Sequence, residues 1–119
     1  MPLSSKRVLV VEDDHLQASD FAATLTVAGA VVLGPVPDCA RAFEVLRRER
    51  VDAAVLDLKL GEDETCYPVA EYCHDKRIPF MFVSGYEHSN IRPEFAKRAF
   101  VSKPVGGAKL VAAVELLTA

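Results

Sequence analysis

Side chains that could do chemistry stand at a few places in the chain, each at the end of a short apolar run. Three carboxylates, Glu12, Asp13 and Asp14, follow the run VLVV at residues 8–11. Later runs lead to one more carboxylate, one hydroxyl and one ammonium group: Asp57, Ser84 and Lys103. Carboxylates crowded at the end of a buried strand repel one another, so we expect a cation to compensate them.

Five of the apolar runs have the length and composition of buried strands. They are RVLVV at 7–11, AVVLG at 30–34, DAAVLD at 52–57, PFMFVS at 79–84 and RAFVS at 98–102. Continuous runs of this kind are typical of parallel strands that are covered on both faces. The residues that could do chemistry are therefore predicted to lie at the ends of such strands.

Helical patterns separate the predicted strands. They are residues 15–28, a stretch that Asp38 can cap, residues 67–76 and residues 106–117. In the first pattern Leu16, Phe21, Leu25 and Ala28 are predicted to lie near one face of the helix. A further helix within 88–97 is predicted to be short or irregular, because Pro93 interrupts it.

Strands that alternate with helices form βαβ units and a parallel sheet. The length of 119 residues and the right-handedness of such crossovers favour one α/β domain over residues 1–119. We expect a flavodoxin-like, doubly wound five-stranded sheet of order 2-1-3-4-5 with helices on both faces. Ligands of such sheets bind where strands 1 and 3 end side by side, so the carboxylates there should converge. Clustered oxygen ligands suit Mg²⁺, and a carboxylate beside it can act as a nucleophile toward phosphorus.

Four motifs at the predicted strand ends resemble those of response-regulator receiver domains from bacterial two-component signalling. They are VVEDD at 10–14, LDLKLG at 56–61, VSGY at 83–86 and SKP at 102–104. The resemblance covers essentially the whole chain. It implies a phosphorelay protein that takes a phosphoryl group from a histidine kinase or histidine phosphotransferase and then switches its binding to a downstream protein. A homodimer is a further option under this resemblance.

The resemblance also implies a set of metal ligands. Asp57 would be the phosphoacceptor and would bind Mg²⁺ together with Asp13 and, through water, Glu12. The backbone carbonyl of Lys59 would complete the ligands from the protein. Asp14 falls at a position that varies in the family, so it is expected at the rim of the site.

Further roles follow from the same resemblance. Ser84 would move toward the phosphoryl group, and Lys103 would contact it, with a cis peptide bond before Pro104 that aims the ammonium group inward. Phe100 matches an aromatic position that turns inward when the hydroxyl residue moves, although a strand phenylalanine in the core would look the same. Both interpretations of Phe100 stay open.

Lys59 and Tyr86 lie two residues after Asp57 and Ser84, where the family tunes how long the phosphoryl group survives. Side chains of this size could crowd the attacking water and slow self-dephosphorylation, or they could simply face solvent. Residues 80–86 are also similar to a subclass of stand-alone receivers with a Phe-Ala-Thr-Gly motif, which works in stress signalling. Here Val and Ser replace its Ala and Thr.

Composition restricts the other function classes. A net charge of −3 argues against general nucleic-acid binding, and no apolar run approaches the roughly 20 residues that span a membrane. The N-terminus does not resemble a signal peptide, and the three cysteines lack C-x-x-C spacing. Reduced thiols in a cytoplasmic protein are therefore expected, with Cys66 in an exposed loop. His15, His74 and His88 have no metal-ligand spacing, so we expect them to be solvated.

Two other functions stay open at this point. A receiver-like module that is not phosphorylated would bind its partner constitutively. A phosphatase with an aspartyl nucleophile would usually carry a second acid two residues later, where this chain has Lys59. Neither G-x-x-x-x-G-K-[ST] nor G-x-G-x-x-G, the phosphate-binding motifs of nucleotide enzymes, occurs. The protein is thus expected to catalyse only its own phosphorylation and dephosphorylation.

Overall fold

The computed structural model describes residues 1–85, 91–95 and 98–119. These residues contain seven strands, numbered in chain order: β1 (Arg7–Val11), β2 (Val31–Val36), β3 (Ala53–Asp57), β4 (Lys59–Leu60), β5 (Glu64–Thr65), β6 (Phe80–Ser84) and β7 (Ala99–Ser102). Five of them form one parallel sheet of order β2-β1-β3-β6-β7. This order confirms the predicted flavodoxin-like topology, 2-1-3-4-5 when only the strands of the large sheet are numbered.

Within the described residues, four α-helices cover the two faces of this sheet. They are α1 (His15–Val27), α2 (Cys39–Arg48), α3 (Tyr67–Asp75) and α4 (Gly107–Leu117). Helix α1 packs against α4, and α2 packs against α3. None of the helices in the described part of the chain combines the length and apolar character that a membrane crossing requires.

Apart from one end residue each, β1, β3 and β6 are apolar, because their alternate side chains enter two different cores. Leu9 and Leu56 point into the core under α2 and α3, whereas their neighbours Val10 and Val55 point into the core under α1 and α4. Successive residues of a strand face opposite sides, so a strand covered on both faces needs apolar residues at every position. The residues that end these strands are consequently held by a rigid and dry scaffold.

The region of the fourth predicted helix contains one short 3₁₀ turn, Pro93–Phe95. Phe95 is buried and stacks on Tyr67 of α3, with 5.8 Å between the ring centroids. The backbone N–H of Arg92 donates to the Tyr67 hydroxyl at 3.0 Å, which also joins this turn to α3. A short, irregular element is what the proline predicted, and positions 88–90 and 96–97 of the predicted helix lie outside the described residues.

The prediction that Leu16 shares a helix face with Phe21 and Leu25 is wrong, because Leu16 is 81% exposed whereas the other two are buried. The buried face of α1 is set by Ala18, Phe21 and Leu25. Leu16 precedes Phe21 by five residues, which at 3.6 residues per turn places it about 140° around the helix. It therefore points to solvent from the first turn of α1.

Candidate functional site

The carboxylates predicted to converge lie together at the carboxyl edge of the sheet. Glu12 and Asp13 follow β1, Asp57 is the last residue of β3, and these two strands are neighbours in the sheet. One oxygen atom from each of the three carboxylates lies within 4.8 Å of the others. Glu12 and Asp57 are only 3% and 6% exposed, whereas Asp13 is exposed. The result is an acidic cluster with two buried members and one open to solvent.

Lys103 supplies a positive charge inside this acidic cluster. Its Nζ lies 2.7 Å from Oε1 of Glu12 and 3.3 Å from Oδ2 of Asp57. The lysine follows β7, and its backbone N–H donates to the carbonyl oxygen of Ser84 at 2.9 Å. The peptide bond from Lys103 to Pro104 is cis, as the sequence predicts. Lys103 thus acts as an internal counter-ion for two buried acids that come from different parts of the chain.

Burial and neighbouring charges shift the protonation of this cluster. Burial raises the pKa of Asp57 to about 7, and the hydrogen bond and negative charge of Glu12 add to the increase, while Lys103 opposes it. Burial alone would lower the pKa of Lys103, but Glu12 and Asp57 more than reverse this effect and raise it. Without a second cation, the Asp57 carboxyl therefore holds its proton up to near-neutral pH.

Hydrogen bonds also hold Asp13 and Asp14, the other two acids that follow β1. Oδ2 of Asp13 accepts a hydrogen bond of 2.9 Å from the backbone N–H of Gly61. Gly61 lies in the turn between β4 and β5 with a φ of +72°, a conformation that favours glycine. Asp14 is exposed and caps α1 by accepting from the N–H of Gln17 at 3.0 Å. Asp14 thus lies at the rim, and its side chain has a structural partner.

The acidic cluster has a donor set that fits a divalent cation. Its three carboxylate oxygens are hard ligands, and Mg²⁺ binds through a few such oxygens while it keeps several waters. Lys59, whose carbonyl the resemblance adds to this set, lies in β4 two residues after Asp57 and has an exposed side chain. The buried acids could therefore hold a metal ion at the edge of the sheet.

The other residues singled out from the sequence lie around this cluster or beyond it. Ser84 ends β6, which neighbours β3, and is 1% exposed. Phe100 is half-buried and packs against the core under α2 and α3, in register with Phe82. Tyr86 lies outside the described residues. The structure thus brings Ser84 to the carboxyl edge of the sheet and places Phe100 against a core.

The prediction of an exposed loop at Cys66 is wrong, since this residue is fully buried. Its backbone N–H donates to the carbonyl oxygen of Leu58 at 2.8 Å, which draws the start of α3 into the core. His15 and His74 are exposed, as expected, and a ring nitrogen of His74 contacts the guanidinium of Arg98. His88 lies outside the described residues.

Sequence reasoning missed two features of this site. The short β4–β5 ribbon, which carries Gly61, was not predicted, although the glycine within LGEDE was a signal for a turn. The direct salt bridge from Lys103 to Glu12 was also missed, since the expected role of Glu12 was that of a metal ligand.

Comparisons with known proteins agree on one family. The response regulator receiver domain matches residues 8–115. A response regulator receiver protein from Sinorhizobium medicae WSM419 is similar over 98% of this chain and 96% of that chain, with a TM-score of 0.82 and 28% identity. SdrG from Sphingomonas melonis Fr1 matches over 100% of both chains, with a TM-score of 0.83 and 28% identity.

The curated proteins that the chain matches are longer than the chain itself. Regulatory protein VirG of Rhizobium rhizogenes is 29% identical over 115 residues, which make up 93% of this chain and 47% of VirG. The chain spans about half the length of the curated relatives it matches.

Proposed function

The chain belongs to the response regulator receiver family, and on this premise we propose that it is a phosphorelay receiver that accepts a phosphoryl group on Asp57. The observation that carries the proposal is the position of this carboxylate. Asp57 ends the central strand, nearly out of contact with solvent, within 4.8 Å of two other acids and 3.3 Å from Lys103. Such a surrounding suits phosphoryl transfer, whose catalysis is mostly positioning and charge neutralisation.

The proposed reaction is a displacement at phosphorus. A carboxylate oxygen of Asp57 forms the new O–P bond, while the N–P bond of a phosphohistidine on the donor breaks and its ring nitrogen keeps the electron pair. The ammonium group of Lys103 lies close enough to balance negative charge on the incoming group. Ser84, at the end of the adjacent strand, would donate a hydrogen bond to a phosphoryl oxygen.

The proposed cofactor is Mg²⁺. Asp13, Asp57 and the carbonyl of Lys59 would hold it directly, and Glu12 through water. A bound divalent cation would supply positive charge for the phosphoryl oxygens. Glu12, Asp13 and Asp57 contribute three carboxylate oxygens at the ends of two adjacent strands, and these oxygens already lie close together in the structure.

The proposal extends to partners and context. The donor would be a histidine kinase or histidine phosphotransferase, and phosphorylation would shift an equilibrium that changes affinity for a downstream protein. We place this activity in one domain over residues 1–119, in the cytoplasm, with a homodimer as a further option. The protein would act on no other substrate than its own Asp57.

The test is intact mass after incubation with acetyl phosphate, with and without Mg²⁺. We expect a gain of one phosphoryl group that needs Mg²⁺ and is absent in Asp57→Asn. Asp63→Asn is the matched control, because Asp63 is exposed in the β4–β5 turn and carries the same charge. A folded protein that gains no mass from acetyl phosphate or from a phosphorylated histidine phosphotransferase would instead support the constitutive, non-phosphorylated binding module.

A further inference from the structure

A cleft with a basic lining lies at the amino edge of the sheet, on the side of the molecule opposite the acidic cluster. It opens where α3 ends and where β6 and β7 begin, and its volume is about 430 Å³. A cleft of this size can enclose a small ligand. The residues that line this basic cleft are Cys73, His74, Arg77, Ile78, Pro79 and Arg98.

The two arginines of the basic cleft carry charges that no described carboxylate neutralises. Five of the eight arginines of the chain pair with a carboxylate: Arg7, Arg41, Arg48, Arg50 and Arg92. Two of the other three are Arg77 and Arg98, and among the described residues no carboxylate oxygen lies within 4.0 Å of either guanidinium. Positive charge is therefore concentrated in this cleft, although the net charge of the chain is −3.

Arg98 is held in a defined orientation on the wall of the basic cleft. The residue is half-buried, and its guanidinium lies over the ring of Phe80, 4.9 Å from the ring centroid. One guanidinium nitrogen also contacts Nδ1 of His74. A guanidinium can only donate hydrogen bonds, so Nδ1 accepts in this contact and the proton of the neutral ring lies on Nε2. Arg98 and His74 thus present hydrogen-bond donors to a ligand in the cleft.

Arg77 occupies a backbone conformation that favours glycine. Its φ is +59°, in the left-handed region, directly after the end of α3. The last carbonyl oxygens of α3 already accept from the backbone N–H groups of Lys76, Arg77 and Ile78, so the helix end does not need the arginine side chain as a cap. Strained residues of this kind cluster at ligand-binding sites, which supports a binding role for the Arg77 side chain.

We propose that the basic cleft is a second binding site, which takes a phosphate group, either as a phosphate monoester or as inorganic phosphate. The terminal oxygens of a phosphate dianion all accept hydrogen bonds, so this ligand matches a set of donors. The planar guanidinium of an arginine can bind two phosphate oxygens with parallel hydrogen bonds. Arg77 and Arg98 together carry the two positive charges that balance the dianion.

The proposed site is separate from the acidic cluster. Strand β6 leads from Phe80, which lies under Arg98, to Ser84 at the opposite edge of the sheet. Four residue steps of about 3.3 Å place these two residues about 13 Å apart. Phosphate in the basic cleft would therefore not touch the residues around Asp57, and its binding requires neither Mg²⁺ nor phosphorylation of Asp57.

The experiment is a titration of the ¹⁵N-labelled protein in EDTA, followed by NMR of its backbone amides at constant pH and ionic strength. Sodium phosphate replaces sodium chloride in one series, and N-acetyl-phosphoserine amide replaces it in a second. We expect saturable shifts for residues 74–80 and 98–100 and smaller shifts around Asp57. Tighter binding of the phosphoserine compound would assign the cleft to phosphate monoesters, and tighter binding of inorganic phosphate would assign it to the free ion.

Variants separate binding from a structural role of the two arginines. Arg98→Gln should raise the dissociation constant about tenfold, because the charged hydrogen bonds to phosphate are lost. Arg77→Gly should raise the dissociation constant about fivefold and also raise Tm, since glycine fits the left-handed conformation. A purely structural role of Arg77 would give the higher Tm without weaker binding. This variant also keeps the test available if Arg98→Gln does not fold.

Arg47→Gln is the matched control. Arg47 is an exposed arginine whose guanidinium lies over an aromatic ring, that of Phe43, and it does not line the basic cleft. Its replacement removes the same charge, so the dissociation constant should change by less than about twofold.

Three outcomes would overturn the proposal. The first is a set of amide shifts that grows linearly with both phosphate compounds and does not saturate. The second is saturable shifts that centre on Asp57 and Lys103 instead of the basic cleft. The third is a folded Arg98→Gln or Arg77→Gly variant that binds phosphate as tightly as Arg47→Gln does.

Discussion

Replacement of Asp57 by asparagine is expected to stabilise the folded protein when no divalent cation is present. The folded state holds this carboxyl among groups that resist its ionisation, whereas the unfolded chain exposes it to water. Asparagine has nearly the same shape and can still accept a hydrogen bond from Lys103, but it carries no charge. The variant therefore removes the unfavourable ionisation and keeps most of the packing.

The pKa of Asp57 fixes both the size and the pH dependence of this effect. It rises from the ordinary aspartate value of 3.8 to about 7 in the folded protein, and each unit corresponds to about 1.4 kcal/mol. Below pH 3.8 both states are protonated and the carboxyl imposes no penalty. As the pH rises to about 7 the unfolded chain releases its proton first, so stability falls over this window and is constant above it.

The full shift would correspond to about 4 kcal/mol, which is a ceiling because the site relaxes and water reaches it. We expect Asp57→Asn to gain about 2 kcal/mol in free energy of unfolding at pH 8 and roughly 1 kcal/mol less at pH 5. For a domain of this size, about 2 kcal/mol corresponds to a rise of roughly 8 °C in Tm.

The assay is urea unfolding in EDTA from pH 5 to pH 8. Wild type, Asp57→Asn and Asp63→Asn are measured in parallel, and the two variants are compared with each other, so the change in net charge cancels. Two results would refute the reasoning: an Asp57→Asn variant that is less stable than Asp63→Asn at pH 8, or a difference between them that does not grow from pH 5 to pH 8.

Three further predictions concern the same site and the helix caps. Lys103→Met should lose about 2 kcal/mol of unfolding free energy at pH 8, because two buried acids lose their counter-ion. In urea unfolding, the double variant with Asp57→Asn should recover part of this loss. Mg²⁺ at 100 times its dissociation constant should stabilise the wild type by about 2.7 kcal/mol in thermal unfolding. Because Asp13 is one of the proposed ligands, Asp13→Asn should need more Mg²⁺ for the same shift in Tm. Asp38→Ala should lose about 1 kcal/mol, since its side chain accepts from the N–H of Arg41 at the start of α2, and a loss below about 0.3 kcal/mol would contradict this role.

The large sheet could be predicted because each of its strands is a short apolar run with a clear end. The end of a strand was harder to predict where the chain contains a proline. The second run was predicted to stop at residue 34, but β2 continues through Pro35 to Val36. This strand lies at the edge of the sheet, where a residue without an N–H is tolerated.

The site could be predicted in part for a related reason. Parallel strands end at the same edge of a sheet, so acids after β1 and β3 had to meet. Lys103 lies closer to Glu12, at 2.7 Å, than to Asp57, at 3.3 Å, and no local sequence pattern encodes this difference. The same holds for Cys66, whose burial depends on a backbone hydrogen bond to Leu58 that has no counterpart in sequence spacing.

The salt bridge between Lys103 and Glu12 has a consequence for how the protein is made. The two residues are 91 positions apart, and Lys103 follows Asp57 by 46 positions. At about 5–20 residues per second, the ribosome adds Lys103 roughly 2–9 s after Asp57. During that interval the nascent chain carries the acids without their counter-ion. A prematurely released chain that ends before β7 lacks it permanently, so completion of the acidic cluster marks a chain whose synthesis has reached the last strand of the sheet.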